Sequence, residues 1–433
     1  MKVLFVSGEL IAGDLAYRLK QEGCEVKLFI EDESRKDCFD GMVEKTDDWK
    51  KELEWVGKDG LIIFDDVGYG KIQDELRRDG YNVFGGCEEG DRLEKDREFG
   101  QEILKLHGVC IETSKNFSDI NDALQYLVKH KAKWVVKQNS HQSSLAYVGS
   151  MKDGSDVASV LKSYNKYNEN DSIRVITLQK KIDGIEVATG RYFNGKDWIG
   201  PICINFEHKP LFYKDIGPLT GEMGTLAWYE EDENNRIFKE TLAKIKPYLE
   251  KINFKGYADI NCIATKNRIV PLEATMRFGC PTNHLQSEIQ TSFWKDLLLA
   301  IAQGENYKLK FKKGYSVVVS IAIPPFPYKA ISADYYLKDV DILFKKKLSK
   351  KEWDRIHFEE VSLKEEKKKQ YYISGSNGYI LYITGFGRTP EKARKQVYSL
   401  VNKIVIPKMF YRTDIGAKFL ETDKKLLKKW GWL

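Results

Sequence analysis

The chain has 433 residues, 42% of them hydrophobic and 31% charged, the profile of a folded globular protein. It is too long for a single core, so roughly two to four domains are expected. Lysine and arginine total 70 against 64 acidic residues, and the resulting +6 admits anionic small molecules without calling for nucleic acid.

In chain order, "KVLFVSG" reads as a strand, "DLAYRLKQEGC" as a helix and "EVKLFIED" as a strand, the start of a parallel α/β sheet. "DGLIIFDDVGYG" adds a buried strand, "IQDELRRDG" a helix and "YNVFGG" another strand. Residues 1–100 therefore form an open α/β domain. Its ligand crevice belongs at the carboxyl ends of the strands, near Ser7, Gly8 and Asp65. "DRLEKDREFGQEILKLHGV" has helical spacing and reads as one helix. A helix, the strand "KWVVKQ", a helix and the strand "RVITLQKKI" fill out residues 101–186. Residues 187–315 contain the strands "IEVATGRYFNG" and "WIGPICINFEH". The amphipathic "NRIFKETLAKIKPYLEKIN" reads there as one long helix, and "YADINCIATKNRIVPLEATMRFG" as a hairpin turning at Lys266 and Asn267. Residues 316–433 hold further strands and the helix "TPEKARKQVYSLVNKI". The fold class is α/β and multidomain.

The seven cysteines are scattered and form no CxxC pair, which argues for reduced thiols in the cytoplasm and against a zinc site. No run approaches the roughly 18 apolar residues of a membrane span. The Lys-rich runs near the C-terminus interleave acids and read as solvated faces rather than an RNA patch.

Chemistry concentrates in a few places. "DIGPLTGEMG" (215–224) packs glycines, a proline and two carboxylates into ten residues. It reads as a shaped loop, suited to an anion or amino acid, or as a surface turn. Glu273 lies on an apolar strand and needs a partner or a metal. It could ligate Mg²⁺ with Asn261 of the paired strand, while Arg277 clamps a carboxylate or phosphate. Alternatively, Glu273 and Arg277 pair with each other. Lys137, at a strand end, suits an ATP phosphate or solvent, and Glu186, opening a strand, suits ribose hydroxyls.

In this order the motifs resemble the ATP-grasp superfamily, and within it the phosphoribosylamine–glycine ligase family. The chain has "EHK" (207–209), "DIGPLTGEMG", "LEATMRFGCPT" (272–282) and "YRTDIG" (411–416), where that family has "DHK", "DxGPNTGGMG", "EFNxRFGDPE" and "YRxDIG". The resemblance covers nearly the whole chain. It implies an N-terminal pre-ATP-grasp domain, a two-part ATP-grasp fold and a C-terminal α/β domain. It implies an ATP-dependent ligase that makes an amide through an acyl phosphate, with ATP and Mg²⁺ (or Mn²⁺) as cofactors. The implied substrates are an amino acid such as glycine and a phosphorylated amine, with no nucleic-acid or membrane partner and a monomer or homodimer as the assembly. Arg97, Lys137, Gln179, Lys180, Lys181, Ile182 and Glu186 would bind ATP. Glu273, Asn261 and Thr275 would hold the metal, Thr275 standing where the family has asparagine. Lys209, Asp215 and Arg277 would be catalytic. Gly8, His208, Gly217, Pro218, Thr220, Gly221, Glu222, Met223, Gly224 and Gly279 would line the substrates.

The chain also departs from that pattern. "SGELIAGDLA" keeps Gly8 and Gly13 of the family's "GNGGREHA" loop but has no arginine or histidine. "SHQSSLAYVG" replaces a glycine-rich flap with a lysine, leaving Ser140, His141, Ser143 and Ser144 as phosphate donors on a flap expected to move. "GCPT" replaces "GDPE". These changes keep two other readings open: a ligase using a different amine, and an inactive nucleotide-binding homologue.

Overall fold

A computed structural model describes residues 1–138, 146–167, 175–328, 337–365 and 369–433. The flap residues Ser140, His141, Ser143 and Ser144 lie outside the described residues.

The N-terminal strands β1 (Lys2–Ser7), β2 (Glu25–Ile30), β3 (Glu44–Lys45), β4 (Leu61–Phe64) and β5 (Asn82–Phe84) form a sheet in the order β3-β2-β1-β4-β5. Every pairing is parallel. Both faces are covered, so β1 and β4 are apolar without alternation, as the sequence suggested.

A four-stranded sheet, β6 (Ser114–Phe117), β7 (Trp134–Gln138), β8 (Ala146–Val148) and β9 (Ile176–Lys180), runs in the order β6-β9-β7-β8. It has its own core around Phe117, Leu127, Trp134, Val136, Leu161 and Leu178, separate from the main one. A piece that buries its own apolar surface can shift as a unit.

The largest sheet is antiparallel. Its strands are β10 (Ile185–Asn194), β11 (Trp198–Glu207), β14 (Gly224–Glu230), β15 (Lys255–Ala264), β16 (Ile269–Thr275), β17 (Tyr315–Ala322), β19 (Ile356–Phe358) and β22 (Tyr379–Gly387), in the order β16-β15-β10-β11-β14-β17-β22-β19. Short pairs make up the rest: β12 (Pro210–Phe212) with β13 (Ile216–Leu219), β18 (Leu343–Phe344) with β23 (Ile404–Val405), and β20 (Val361–Glu365) with β21 (Lys369–Ile373). The large sheet passes from β14 to β17 without a break, so residues on either side of 316 share one sheet and one core.

Two segments read as continuous helices are interrupted. Residues 88–106 form two helices, Glu88–Lys95 and Arg97–Leu106, because Asp96 leaves helical geometry and caps the second through Phe99 N at 3.1 Å. Residues 236–251 split into Arg236–Glu240, a 3₁₀ turn and Lys246–Lys251. Thr241 is non-helical (φ −127°, ψ −98°) and Pro247 opens the last piece.

Candidate active site

The site grows from strand register. Ala188 of β10 faces Asn205 of β11 and Asn261 of β15, and Asn261 faces Glu273 of β16. Directly opposed residues share a face, and alternate residues return to it. Glu186, Asn205, Glu207, Asp259, Asn261, Glu273 and Thr275 therefore stand on one polar face. The intervening Val187, Ile204, Phe206 and Ile260 are buried in the core. Gly190 lies opposite Asp259, and a Cβ there would come 2.5 Å from Asp259 Oδ2, so only glycine leaves the carboxylate its room.

Lys209, just past β11, reaches into this face. Its Nζ lies 3.0 Å from Glu273 Oε1, 3.3 Å from Glu207 Oε2 and 3.6 Å from Glu186 Oε1. The ammonium of Lys209 holds Glu273 down at a pKa of about 2. Burial alone would lower Lys209, but Glu273, Glu207 and Glu186 outweigh it and keep the amine charged. Glu273 has 48% of its side chain exposed, so it can meet a ligand. Deeper in, burial and the neighbouring Glu207 raise Asp259 to about 8 and push Glu222 up as well.

Two further cations border Glu273. Lys137 lies on β7, and burial and the charge of Arg97 lower its pKa to about 8. Arg97 opens its helix and donates to Leu272 O at 3.3 Å. Gln179 and Lys180 lie on β9 and continue through Lys181 and Ile182 into β10; Lys181 N donates to Lys133 O. This short link joins the four-stranded sheet to the polar face.

Glu273 and Arg277 do not pair with each other. Arg277 is held by Glu94 at 3.1 Å and Asp66 at 3.3 Å, which ties the strand end to the N-terminal sheet. Gly8 belongs to the crevice beyond Asp66, apart from the polar face. Gly279 accepts from Asn283 N at the start of the following helix.

Residues 210–219 are a small hairpin, β12 and β13, rather than an irregular loop. Lys214 and Asp215 at its turn have φ of 59°, a strained backbone that its surroundings hold in place. Arg412 supplies that hold: it donates to Pro210 O and Asp215 Oδ1, each at 2.9 Å, and pairs with Asp414. Asp414 Oδ2 accepts from Lys214 N at 2.8 Å. His208 donates to Gly224 O and accepts from Gly416 N, and burial with the Arg412 charge lowers it to about 4. Asp215 and His208 are thus engaged with "YRTDIG" and stand apart from the carboxylate cluster. Thr220 donates to Lys209 O and Met223 N to His208 O, so the loop fixes the backbone that carries Lys209. Gly217 and Pro218 lie on β13. Gly221 lies against the Tyr379 hydroxyl, and Gly224 against Val318 O at φ 148°.

The polar face suits a divalent cation. Asn261 Nδ2 donates to Glu207, leaving Asn261 Oδ1 buried without a hydrogen-bond partner. Asn205 Oδ1 and Glu222 Oε1 are likewise buried without one. Unsatisfied oxygens beside ionised Glu273 form a donor set of the kind Mg²⁺ prefers. The sequence reading gave no role to Asn205, Asp66 or Glu94, and none individually to Glu207 of "EHK" or to Arg412 and Asp414 of "YRTDIG". Asn205 and Glu207 stand at alternate positions of the apolar strand "ICINFE".

Residues 95–283 match the family model for the phosphoribosylglycinamide synthetase ATP-grasp (A) domain. A phosphoribosylamine–glycine ligase of Helicobacter pylori is 25% identical over 362 residues, covering 81% of this chain and 80% of that protein. The solved phosphoribosylamine–glycine ligase of Thermotoga maritima superposes with a TM-score of 0.70 at 19% identity, covering 96% of this chain and all of that one. The biotin carboxylase domain of Hydrogenobacter thermophilus 2-oxoglutarate carboxylase, solved with MgADP, gives 0.66 at 13% identity over 99% of this chain and 97% of that one. Residues 95–283 are thus an ATP-grasp domain. The chain as a whole is a divergent relative of phosphoribosylamine–glycine ligase, an enzyme of the class that forms C–N bonds. Among the described residues no helix is long and apolar enough to cross a membrane.

Proposed function

We propose that the chain activates the carboxylate of an amino acid, glycine being the first candidate, and joins it to an amine. A carboxylate oxygen attacks the γ-phosphorus of ATP and ADP leaves. The amine nitrogen then attacks the acyl carbon, phosphate leaves, and the nitrogen loses a proton. The reaction needs alignment and charge stabilisation more than covalent help from the protein. Lys137 and Arg97 would draw the phosphates, and Gln179 to Ile182 with Glu186 would seat adenosine. Lys209 and Arg277 would stabilise charge at the reacting carboxylate, with the segment 215–224 beside them. Glu273, Asn261 and Thr275 would hold Mg²⁺, whose chemistry is to neutralise phosphate charge. The observation that carries this reading is the polar face, where Glu273 is ionised and exposed beside three cations.

Similarity to relatives named phosphoribosylamine–glycine ligase supports phosphoribosylamine as the amine. The product would then be glycinamide ribonucleotide, in de novo purine biosynthesis in the cytoplasm, made by a monomer or homodimer. We propose the division 1–100, 101–186, 187–315 and 316–433 for the functional parts. A second reading, a different amine, is favoured by the acidic lining of the N-terminal crevice.

The test is ADP release with ATP, Mg²⁺ and glycine, with and without freshly generated phosphoribosylamine, using Glu273→Ala as control. Turnover that needs both substrates and vanishes in the control supports the purine reading. ATP binding without turnover sinks it.

A further inference from the structure

After Arg277 the chain runs into the helix Thr282–Ile289, and the residues at that entry belong to a second group of metal-type donors. Cys280 Sγ, a ring nitrogen of His284 and a carboxylate oxygen of Glu359 lie within 4.8 Å of one another. Cys280 lies just before the helix, His284 in its first turn, and Glu359 directly after β19. Cys280 stands where the pattern "GDPE" has aspartate, so the thiol is this chain's own departure from that pattern.

One donor of the group is unspent. His284 is 2% exposed, its Nε2 is buried without a hydrogen-bond partner, and its ring makes no hydrogen bond among the described residues. A buried polar atom without a partner calls for an explanation, and a bound ion is one. Packing holds the ring in place instead, against His357 and Tyr382 with centroids 4.7 Å away in each case. Glu359 gives Oε1 to Arg35 at 2.8 Å, and Arg35 is itself held by Glu360 and by Glu9 O, so the other Glu359 oxygen is left for a ligand. Cys280 Sγ lies 3.4 Å from the Tyr382 hydroxyl, which can donate to a thiolate. In the neighbouring triad of Asp14, His284 and His357, both nitrogens of His357 are engaged, Nδ1 with Asp14 at 2.8 Å and Nε2 with Thr384 at 3.2 Å.

We infer that Cys280, His284 and Glu359 bind Zn²⁺ and so tie the end of the ATP-grasp domain to the C-terminal segment, with water in the fourth position. Sulfur and imidazole with a single carboxylate suit zinc, whereas Mg²⁺ calls for oxygen donors like those beside Glu273. A tetrahedral ion with ligands at about 2.0–2.3 Å needs them roughly 3.3–3.8 Å apart, so side-chain shifts of at most about 1.5 Å complete the site. The thiol releases its proton to solvent on binding. No CxxC spacing announces the site, because Glu359 comes from a distant strand.

The test uses the full chain, stripped with a chelator, kept in excess Mg²⁺ and titrated with Zn²⁺ or with Co²⁺. We expect one Zn²⁺ per chain with a Kd below about 1 µM, a thiolate-to-cobalt charge-transfer band, and a melting temperature that rises with Zn²⁺. C280S should abolish the band, and C280S and H284Q should each weaken Zn²⁺ binding by at least about 100-fold. C110S, which removes an exposed cysteine, should change none of these. Cys280 is only partly buried, so zinc-free C280S should melt within a few degrees of zinc-free wild type, which separates lost binding from lost folding. Weaker binding than that by the wild type, a cobalt band that persists in C280S, wild-type affinity in H284Q, or a band lost in C110S overturns the proposal.

Discussion

Two clusters in this molecule share a composition and differ in purpose. In one, Lys209 lies among Glu186, Glu207 and Glu273 on the polar face. In the other, Arg35 lies between Glu359 at 2.8 Å and Glu360 at 3.3 Å, where the N-terminal sheet meets the C-terminal segment. The first is open, with Glu273 48% exposed; the second is closed, its three side chains at 9%, 5% and 0%. Lysine is a compact point charge that can yield to another cation, whereas the arginine fork fixes geometry. Burial raises Glu359 to about 8 and Glu360 to about 7, but Lys209 holds Glu273 at about 2. An open cluster keeps its acid ionised for a ligand. A closed one trades ionisation for holding two parts of the chain together.

Breaking the closed cluster should have the largest effect. Arg35→Ala leaves two buried acids without their cation and should cost about 3–5 kcal/mol. Denaturant unfolding checks this, and nucleotide affinity measured below the transition should be retained. Opening the other cluster should do the reverse. Glu273→Ala should lower ADP formation by about 10²–10³-fold while the melting temperature stays within a few degrees. Lys137→Met tests the cation beside Glu273: ATP should bind about tenfold more weakly, the size of one lost charge-assisted contact, read by calorimetry. The smallest effect is on pH. Glu359 and Glu360 have folded values above the ordinary carboxylate range. The folded state therefore keeps protons that the unfolded chain releases, and their contribution to stability falls as pH rises from about 4.5 to 8. Glu359→Gln should flatten that fall, seen as a smaller difference in melting temperature between pH 5 and pH 8.

Much of the candidate site was legible because its spacing is local. The turn at Lys266 and Asn267 sets the hairpin register as far as Cys262 opposite Pro271, and a bulge at Leu272 then brings Glu273 opposite Asn261. The breaks at Asp96 and Thr241 were not read, because helical periodicity on either side masked the cap residue Asp96 and the helix-opening Pro247. The partner of Arg277 was not legible. Glu94 is 183 residues away, and nothing in "MRFG" distinguishes it from Glu273, four residues off. The role of "YRTDIG" was hidden in the same way, since Arg412 reaches Asp215 across 197 residues.

By itself the sequence determined the parallel opening sheet, the hairpin bearing Glu273 and the ATP-grasp order of motifs, because hydrophobic periodicity and turn chemistry act over a few residues. The tertiary structure alone decided which charge meets which, which carboxylates stay ionised, and that the N-terminal crevice is negative. Those are properties of distance and burial in space, and Coulomb's law takes no account of separation along the chain.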